Sequence, residues 1–195
     1  MTTGILPLDT DVPDSEKSWF PMRIAHGRPE RTLSIRKYLS DHQVETFLPM
    51  TWKKVLVDGK AKRKLLPAID NLIFIRSSEQ RLKDLKRFHA TLLPLRFMMW
   101  RPHDQNTLSS VITIPDHDMA NFRRVAAVED DSVMFLGDKD FSQKIGRRVK
   151  VVHGPFEGVE GTIYRVKKDR RVVISLDRVC SVAIAHINPD FLVEI

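Results

Sequence analysis

The chain has 195 residues, of which 42% are hydrophobic and 29% are charged, and these proportions are ordinary for a soluble globular protein. No apolar run approaches the roughly 18 residues that a membrane span requires, and the N-terminus lacks a charged segment followed by an apolar one. The single cysteine, Cys180, excludes an internal disulfide and suits a reducing compartment. We therefore expect a cytosolic protein without membrane contact.

The net charge of +7 is unevenly distributed along the chain. The first 18 residues contain four acidic side chains, one lysine and two prolines, with few apolar anchors. This composition predicts a mobile acidic tail over residues 1–18. The remainder of the chain is accordingly more basic than the net charge suggests, and a polyanion is a natural class of partner.

Residues 19–127 predict an α+β domain, in which a mixed, mainly antiparallel sheet is covered by helices. The second helix begins at a capping box over residues 77–80 and places Leu82, Leu85 and Phe88 on its inner face. The third helix is capped by Asp116 and carries Met119, Phe122 and Val125. The predicted elements are strands over 19–24, 44–56, 72–75, 95–100 and 111–114, and helices over 28–42, from 77 and from 116.

A second domain is predicted at the C-terminus. Residues 128–140 are rich in acidic groups and contain Gly137, so they predict a linker. Beyond them, residues 141–195 contain five short alternating segments, which suit a small all-β barrel. These predicted strands cover residues 149–152, 162–166, 172–176, 179–184 and 191–195.

Residues 149–163 carry the most specific motif of the chain. An alternating apolar run is followed by Gly154-Pro155-Phe156, then by Gly158 and Gly161, and then by a second alternating run. This pattern suits a tight, glycine-shaped connection between two strands, and it resembles the KOW motif. The resemblance implies an SH3-like KOW barrel.

The upstream sequence resembles the N-terminal domain of NusG-type transcription factors. The matching features are Trp19-Phe20, Gly27-Arg28-Pro29-Glu30, Leu65-Leu66-Pro67 and the apolar segment 71–75. With the KOW motif, the resemblance covers about residues 19–195. It implies a transcription elongation or antitermination factor, specialised in the manner of RfaH or UpxY, that acts as a monomer without enzymatic activity or cofactor.

The resemblance also implies partners. The N-terminal domain would dock on RNA polymerase through an apolar patch at Leu66, Leu72 and Phe74, although core packing is an equal alternative for Leu72 and Phe74. The barrel would present Phe156 to Rho or to a small-subunit ribosomal protein, unless that ring is buried within the chain.

Clusters of basic residues predict contact with nucleic acid, or else the solvated faces of hairpins. The first cluster surrounds the turn dipeptide Asp58-Gly59, so it is expected on a projecting hairpin. Tyr164 and Phe156 are the aromatic candidates near the basic turns of the barrel, and this scarcity predicts electrostatic binding rather than base stacking. The candidate contacts are Lys53, Lys54, Lys62, Arg63, Lys64, Arg147, Arg148, Lys167 and Lys168.

Two other functions are compatible with the sequence. KOW barrels also occur in ribosomal proteins, so the chain could be a ribosome-associated RNA-binding module. A metal-dependent hydrolase could use His103, Asp104 and the Asp116-His117-Asp118 segment, although a solvated loop and a helix cap explain these residues more simply.

Overall fold

The structure is a computed structural model that describes residues 12–101, 108–128, 132–137, 146–166, 169–184 and 187–195. Within it the chain divides into two compact units. The first unit consists of Met1–Leu48 and Asp70–Asp116, and the second consists of Pro49–Ile69 and His117–Ile195. The bounds of the predicted domains, 19–127 and 141–195, remain a prediction.

The strands of the first unit are β1 (Ser18–Ile24), β2 (Glu45–Phe47), β5 (Leu72–Ser77), β6 (Leu95–Phe97), β7 (Met99–Trp100) and β8 (Ser110–Val111). Four of them form an antiparallel sheet with the strand order β2-β5-β1-β6. Strands β7 and β8 form a separate two-stranded ribbon, and Ile114 pairs with Trp19 through an isolated bridge.

Strand β5 forms the core of this unit. Four consecutive side chains, Leu72, Ile73, Phe74 and Ile75, have no exposed surface. Because alternate residues of a strand point to opposite faces, both faces of the sheet are covered at this strand. An uninterrupted apolar run is the sequence pattern of such a strand, and the sequence predicts it over nearly the same residues.

Two helices belong to the first unit, α1 (Pro29–Asp41) and α2 (Glu79–Phe88). Pro29 occupies the first turn of α1, where its missing N–H costs nothing. Ser78 caps α2, and its hydroxyl accepts a hydrogen bond from the Arg81 N–H at 3.2 Å. Leu82 and Leu85 are buried as predicted, whereas the prediction for Phe88 is wrong. Phe88 is the last residue of α2 and is 61% exposed.

Part of the predicted acidic tail has a defined structure. Asp14–Glu16 forms a single 3-10 turn, and the Arg76 guanidinium donates to the Asp14 carboxylate at 2.6 Å. This bond, together with the positive charge of Arg76, lowers the pKa of Asp14. Residues 1–11, which include Asp9 and Asp11 of the tail, lie outside the described residues.

The second unit contains the third helix and the other strands. The elements are α3 (Asp116–Ala126), β3 (Met50–Val57), β4 (Lys60–Pro67), β9 (Val133–Gly137), β10 (Arg147–Val151), β11 (Glu160–Val166), β12 (Asp169–Leu176), β13 (Cys180–Ile184) and β14 (Leu192–Glu194). Met119, Phe122 and Val125 of α3 are buried, as predicted. The larger sheet of this unit has six antiparallel strands in the order β14-β10-β11-β12-β13-β9.

The α+β class is confirmed, with two corrections. Every pair of named strands in the described residues is antiparallel, so the expected mixed sheet is not observed there. The predicted linker 128–140 contains β9, an apolar strand that pairs with β13. The six strands form an open order in which no described pairing joins β14 to β9, so a closed KOW barrel stays a prediction.

Three aromatic rings connect the end of α1 to the end of α2. The Tyr38 and His42 rings stack at 4.1 Å between centroids, and the His89 ring lies 5.2 Å from Tyr38 and 5.7 Å from His42. Arg81 is 6% exposed, and its Nε and Nη1 atoms have no hydrogen-bond partner among the described groups. Burial, followed by the nearby His42 and Arg81, lowers the pKa of His89.

This ring cluster predicts a loss of stability in acid. Because the pKa of His89 is lower in the folded state, the unfolded chain binds a proton more readily, and folding stability falls as the pH drops below about 6.5. His89→Gln should therefore reduce the difference between the urea midpoints of unfolding at pH 7 and at pH 5. Equal pH dependence of the two proteins would contradict this assignment.

Candidate nucleic-acid interface

Strands β3 and β4 form a regular hairpin of the second unit. They pair in register from Met50 opposite Pro67 to Val57 opposite Lys60. The turn consists of Asp58 and Gly59, with φ angles of 51° and 72°. Two successive residues with positive φ match the two-residue turn that the right-handed twist of a hairpin favours, and Asp-Gly is a preferred sequence for it. The predicted hairpin is thus observed.

The hairpin concentrates positive charge. Residues 50–67 contain six lysines and arginines, and Asp58 at the turn is the one carboxylate in that range. Lys53 lies opposite Lys64, and Lys54 lies opposite Arg63. Like charges directly opposite each other on adjacent strands are destabilising, so neither pair is favoured by the fold alone. A bound polyanion would remove this repulsion.

The two faces of the hairpin differ in exposure. Trp52, Lys54 and Leu56 share one face and are exposed, whereas the intervening residues of β3 are half-buried. Trp52 is 44% exposed and Leu56 is 79% exposed. The Arg63 guanidinium lies over the Trp52 ring, with its central carbon 5.7 Å from the ring centroid. The exposed face therefore combines an indole with cationic groups.

Sequence reasoning missed Trp52 as a functional candidate. The alternation of Trp52, Lys54 and Leu56 was available as a signal, because residues two apart on a strand share a face. The sequence does not show which of the two faces is exposed. A tryptophan on such a strand is more often buried, as Trp19 is at 3% exposure.

The KOW-like segment forms a strand, a glycine turn and a second strand. Gly154 and Gly158 adopt φ angles of 88° and 82°, which side-chain-bearing residues rarely adopt. The Gly158 N–H donates to the Val151 carbonyl at 2.7 Å, and the Val151 N–H donates to the Val159 carbonyl at 2.9 Å. A Cβ at Gly161 would lie 2.9 Å from the Val173 carbonyl oxygen of the next strand. Each glycine of the motif thus occupies a position that needs a glycine.

The expected exposure of Phe156 is wrong, because this ring is 5% exposed. Helix α3 contacts the turn that carries it. Arg124 Nη1 donates to the Glu157 carbonyl at 2.8 Å, and the Glu160 N–H donates to Asn121 Oδ1 at 3.4 Å. The alternative of burial within the chain is therefore observed, and a partner-binding role for Phe156 stays a prediction.

The residues expected to contact polymerase differ in exposure. Leu72 and Phe74 are completely buried in β5, which agrees with the core-packing alternative. Leu66 lies near the end of β4 opposite Thr51 and is half-buried. Of the three candidates, Leu66 is the one with exposed surface.

The basic residues of the larger sheet lie beside carboxylates. Arg147 Nη1 is 3.7 Å from Glu194, and Glu160 lies 3.7 Å from Arg148 and 3.6 Å from Lys150. Such exposed pairs contribute little stability, but they reduce the local positive potential. Lys167 and Lys168 lie outside the described residues. The hairpin, with six cationic side chains and one carboxylate in residues 50–67, is the candidate with the higher density of positive charge.

The hydrolase candidates are not assembled into a site in the described part of the chain. His117 Nδ1 lies 3.4 Å from the adjacent Asp118 carboxylate, and both side chains are exposed. The Asp116 carboxylate is 3.4 Å from Arg76. His103 and Asp104 lie outside the described residues. Among the residues described, no group of three histidine, cysteine or acidic side chains could hold a metal ion.

The chain is similar to solved structures of known proteins. No protein-family model matches the chain, and no curated protein matches it. Among the solved structures that match is a NusG from Thermotoga maritima, described as "Domain interaction in Thermotoga maritima NusG". The match has 12% sequence identity and a TM-score of 0.43, and it covers 94% of this chain and 99% of that one. A similarity of this degree establishes no shared function.

No helix in the described segments is both long enough and apolar enough to cross a lipid bilayer.

The contact between α3 and the glycine turn can be tested with two glycines. Gly158→Ala and Gly59→Ala both force an alanine into the left-handed region, which costs about 1–2 kcal/mol. A Cβ at Gly158 would also lie 2.7 Å from Arg124 Nη1, whereas nothing lies within 4 Å of one at Gly59. We expect Gly158→Ala to lower the free energy of unfolding more than Gly59→Ala does.

The control for this comparison is the Arg124→Ala background. Without the guanidinium, the two alanine substitutions should cost about the same in urea denaturation. An excess cost of Gly158→Ala that persists in that background would show that the contact with α3 is not its cause.

Proposed function

We propose that the chain is a transcription elongation or antitermination factor of the NusG-like class. One observation carries the proposal, the strand–turn–strand segment in which Gly154, Gly158 and Gly161 of the KOW-like motif occupy positions that need glycine. The factor binds RNA polymerase through its N-terminal domain and a second partner through the KOW domain. It acts by stabilising one conformational state of polymerase, without any bond chemistry.

Leu66 is our candidate for direct contact with polymerase. It has exposed surface, and it lies next to Pro67 just before the buried strand β5. Leu72 and Phe74 are completely buried in that strand, so we assign them to the core and not to the contact surface. Residues at the centre of an interface commonly contribute about 2 kcal/mol or more.

The second partner is Rho or a small-subunit ribosomal protein, contacted through Phe156. Because Phe156 is 5% exposed, contact with such a partner requires its ring to become accessible. Release of the Arg124 hydrogen bond to Glu157 is the conformational change that we propose. The division into domains 19–127 and 141–195 belongs to this proposal.

Polymerase binding can be tested by affinity purification from bacterial extract with the tagged full-length chain. We expect the core subunits of polymerase to co-purify, and Leu66→Gln to reduce their recovery about tenfold or more. Leu56→Gln is the matched control, since Leu56 is an exposed leucine on the same hairpin as Leu66. Normal circular dichroism of both variants with unchanged recovery would exclude Leu66 as a contact.

The same purification distinguishes the second candidate function. A ribosome-associated RNA-binding protein is favoured by one observation, the concentration of six cationic residues on the hairpin. Recovery of ribosomal subunits instead of polymerase would support that function.

Nucleic-acid binding is expected to depend on salt mainly through the hairpin. Neutralising each phosphate-binding lysine should reduce the slope of log affinity against log salt by about one. Lys54→Gln with Lys64→Gln should therefore reduce the slope by about two, because both side chains are exposed on the hairpin.

Arg148→Gln with Lys150→Gln is the matched control for charge. Both side chains lie within 4 Å of Glu160, so their replacement should change the slope less. Equal effects of the two double variants, measured by fluorescence anisotropy, would show that the hairpin is not the principal site.

A further inference from the structure

We propose that Trp52 is a stacking platform for a base of single-stranded nucleic acid, with Arg63 and Lys54 contacting the adjacent phosphates. This inference rests on the nucleic-acid contact in the proposed function and adds the class of ligand and the mode of binding. It adds base stacking to the mainly electrostatic binding that the sequence predicts.

The exposed face of the hairpin is the first step of the argument. Trp52, Lys54 and Leu56 of β3 share this face with Leu65, Arg63 and Ala61, which lie opposite them on β4. Trp52 is 44% exposed, although burial of an aromatic side chain of this size is strongly favourable. A fold that leaves the indole in water forgoes that stabilisation.

The charge around the indole indicates a polyanion. The like-charged pair Lys54 and Arg63 lies on the same face as Trp52, and the like-charged pair Lys53 and Lys64 lies on the other face. Phosphates would convert this repulsion into attraction. An apolar protein surface would gain from Trp52 and Leu56, but it would desolvate the cations without compensation.

The position of Arg63 favours a stacked base. Its guanidinium lies 5.7 Å from the indole centroid, in the range of a cation–π contact. Bases stack on aromatic rings and on guanidinium planes, so this pair offers adjoining flat surfaces. Lys54 follows Trp52 by two residues, about 7 Å along the strand, and lies within reach of a phosphate beside the stacked base.

A single strand fits this face better than a duplex. Base faces in a duplex are covered by their neighbours, and the grooves expose base edges. A two-stranded ribbon can enter the major groove, but an indole has no base face to stack on there. Unpaired bases present their faces, and a stacked base contributes about 1–3 kcal/mol.

The test uses the purified full-length chain and its intrinsic tryptophan fluorescence. Titration with a 12-nucleotide oligo-dT or oligo-U should quench the emission of Trp52. By anisotropy with a labelled oligonucleotide, Trp52→Ala should weaken binding about 5- to 100-fold, whereas Trp52→Phe should retain most of the affinity. The salt slope should be the same in all three proteins, because the substitutions change no charge.

Three controls separate stacking from other causes. Leu56→Ala removes apolar surface from the same face without removing a ring, so it should leave affinity nearly unchanged. An abasic oligonucleotide should bind Trp52→Ala and the unchanged protein equally. A duplex of equal length should bind more weakly than the single strand at matched salt.

Several results would overturn the inference. One is that Trp52→Ala binds oligo-dT as tightly as the unchanged protein does, and another is that Trp52→Ala weakens binding to the abasic strand as much as binding to oligo-dT. A third is that the protein binds the duplex more tightly than the single strand. The last is that polyglutamate binds as tightly as oligo-dT and depends on Trp52 to the same degree. The test contains no polymerase, so its failure would leave the polymerase proposal intact. Conversely, absence of polymerase from the affinity purification would leave a stacking result standing.

Discussion

The complete burial of β5 is the constraint on which the first unit depends. Four consecutive side chains without exposed surface contribute on the order of 1.5–3 kcal/mol each relative to exposure. Strands β1 and β2 flank β5 and are held by it in antiparallel register.

The hairpin tolerates its electrostatic repulsion because it is closed at its base and at its turn. Eight successive residue pairs join β3 to β4, and the Ala68 N–H donates to the Pro49 carbonyl at 2.8 Å beyond the last pair. The Asp-Gly turn fixes the other end without strain at its glycine. Backbone pairing therefore keeps the cationic side chains of the hairpin close together despite their mutual repulsion.

Local sequence patterns account for most elements but not for their surroundings. The first-turn proline and the Asp-Gly turn act within a few residues, and the sequence predicts both correctly. The cap of α2 is Ser78, one residue after the start of the predicted capping box, so that prediction was wrong by one residue. Phe156 could not be assigned in this way, because its burial involves a turn that α3 contacts from more than 30 residues away along the chain. Strand β9 was missed for a related reason, since it is short and needs β13 as its partner.

The exposure of Trp52 at the candidate site could likewise not be predicted from the local sequence. Its alternation with Lys54 is visible in the sequence, but the exposure of that face is decided by tertiary packing. A stable hairpin would separate its like charges and bury its indole, and this one does neither. Departures of this kind from local consistency are most common where a sequence is constrained by binding. The repulsion between Lys54 and Arg63 and the exposed ring of Trp52 occur together on one face, so a single ligand that is both anionic and planar would relieve both.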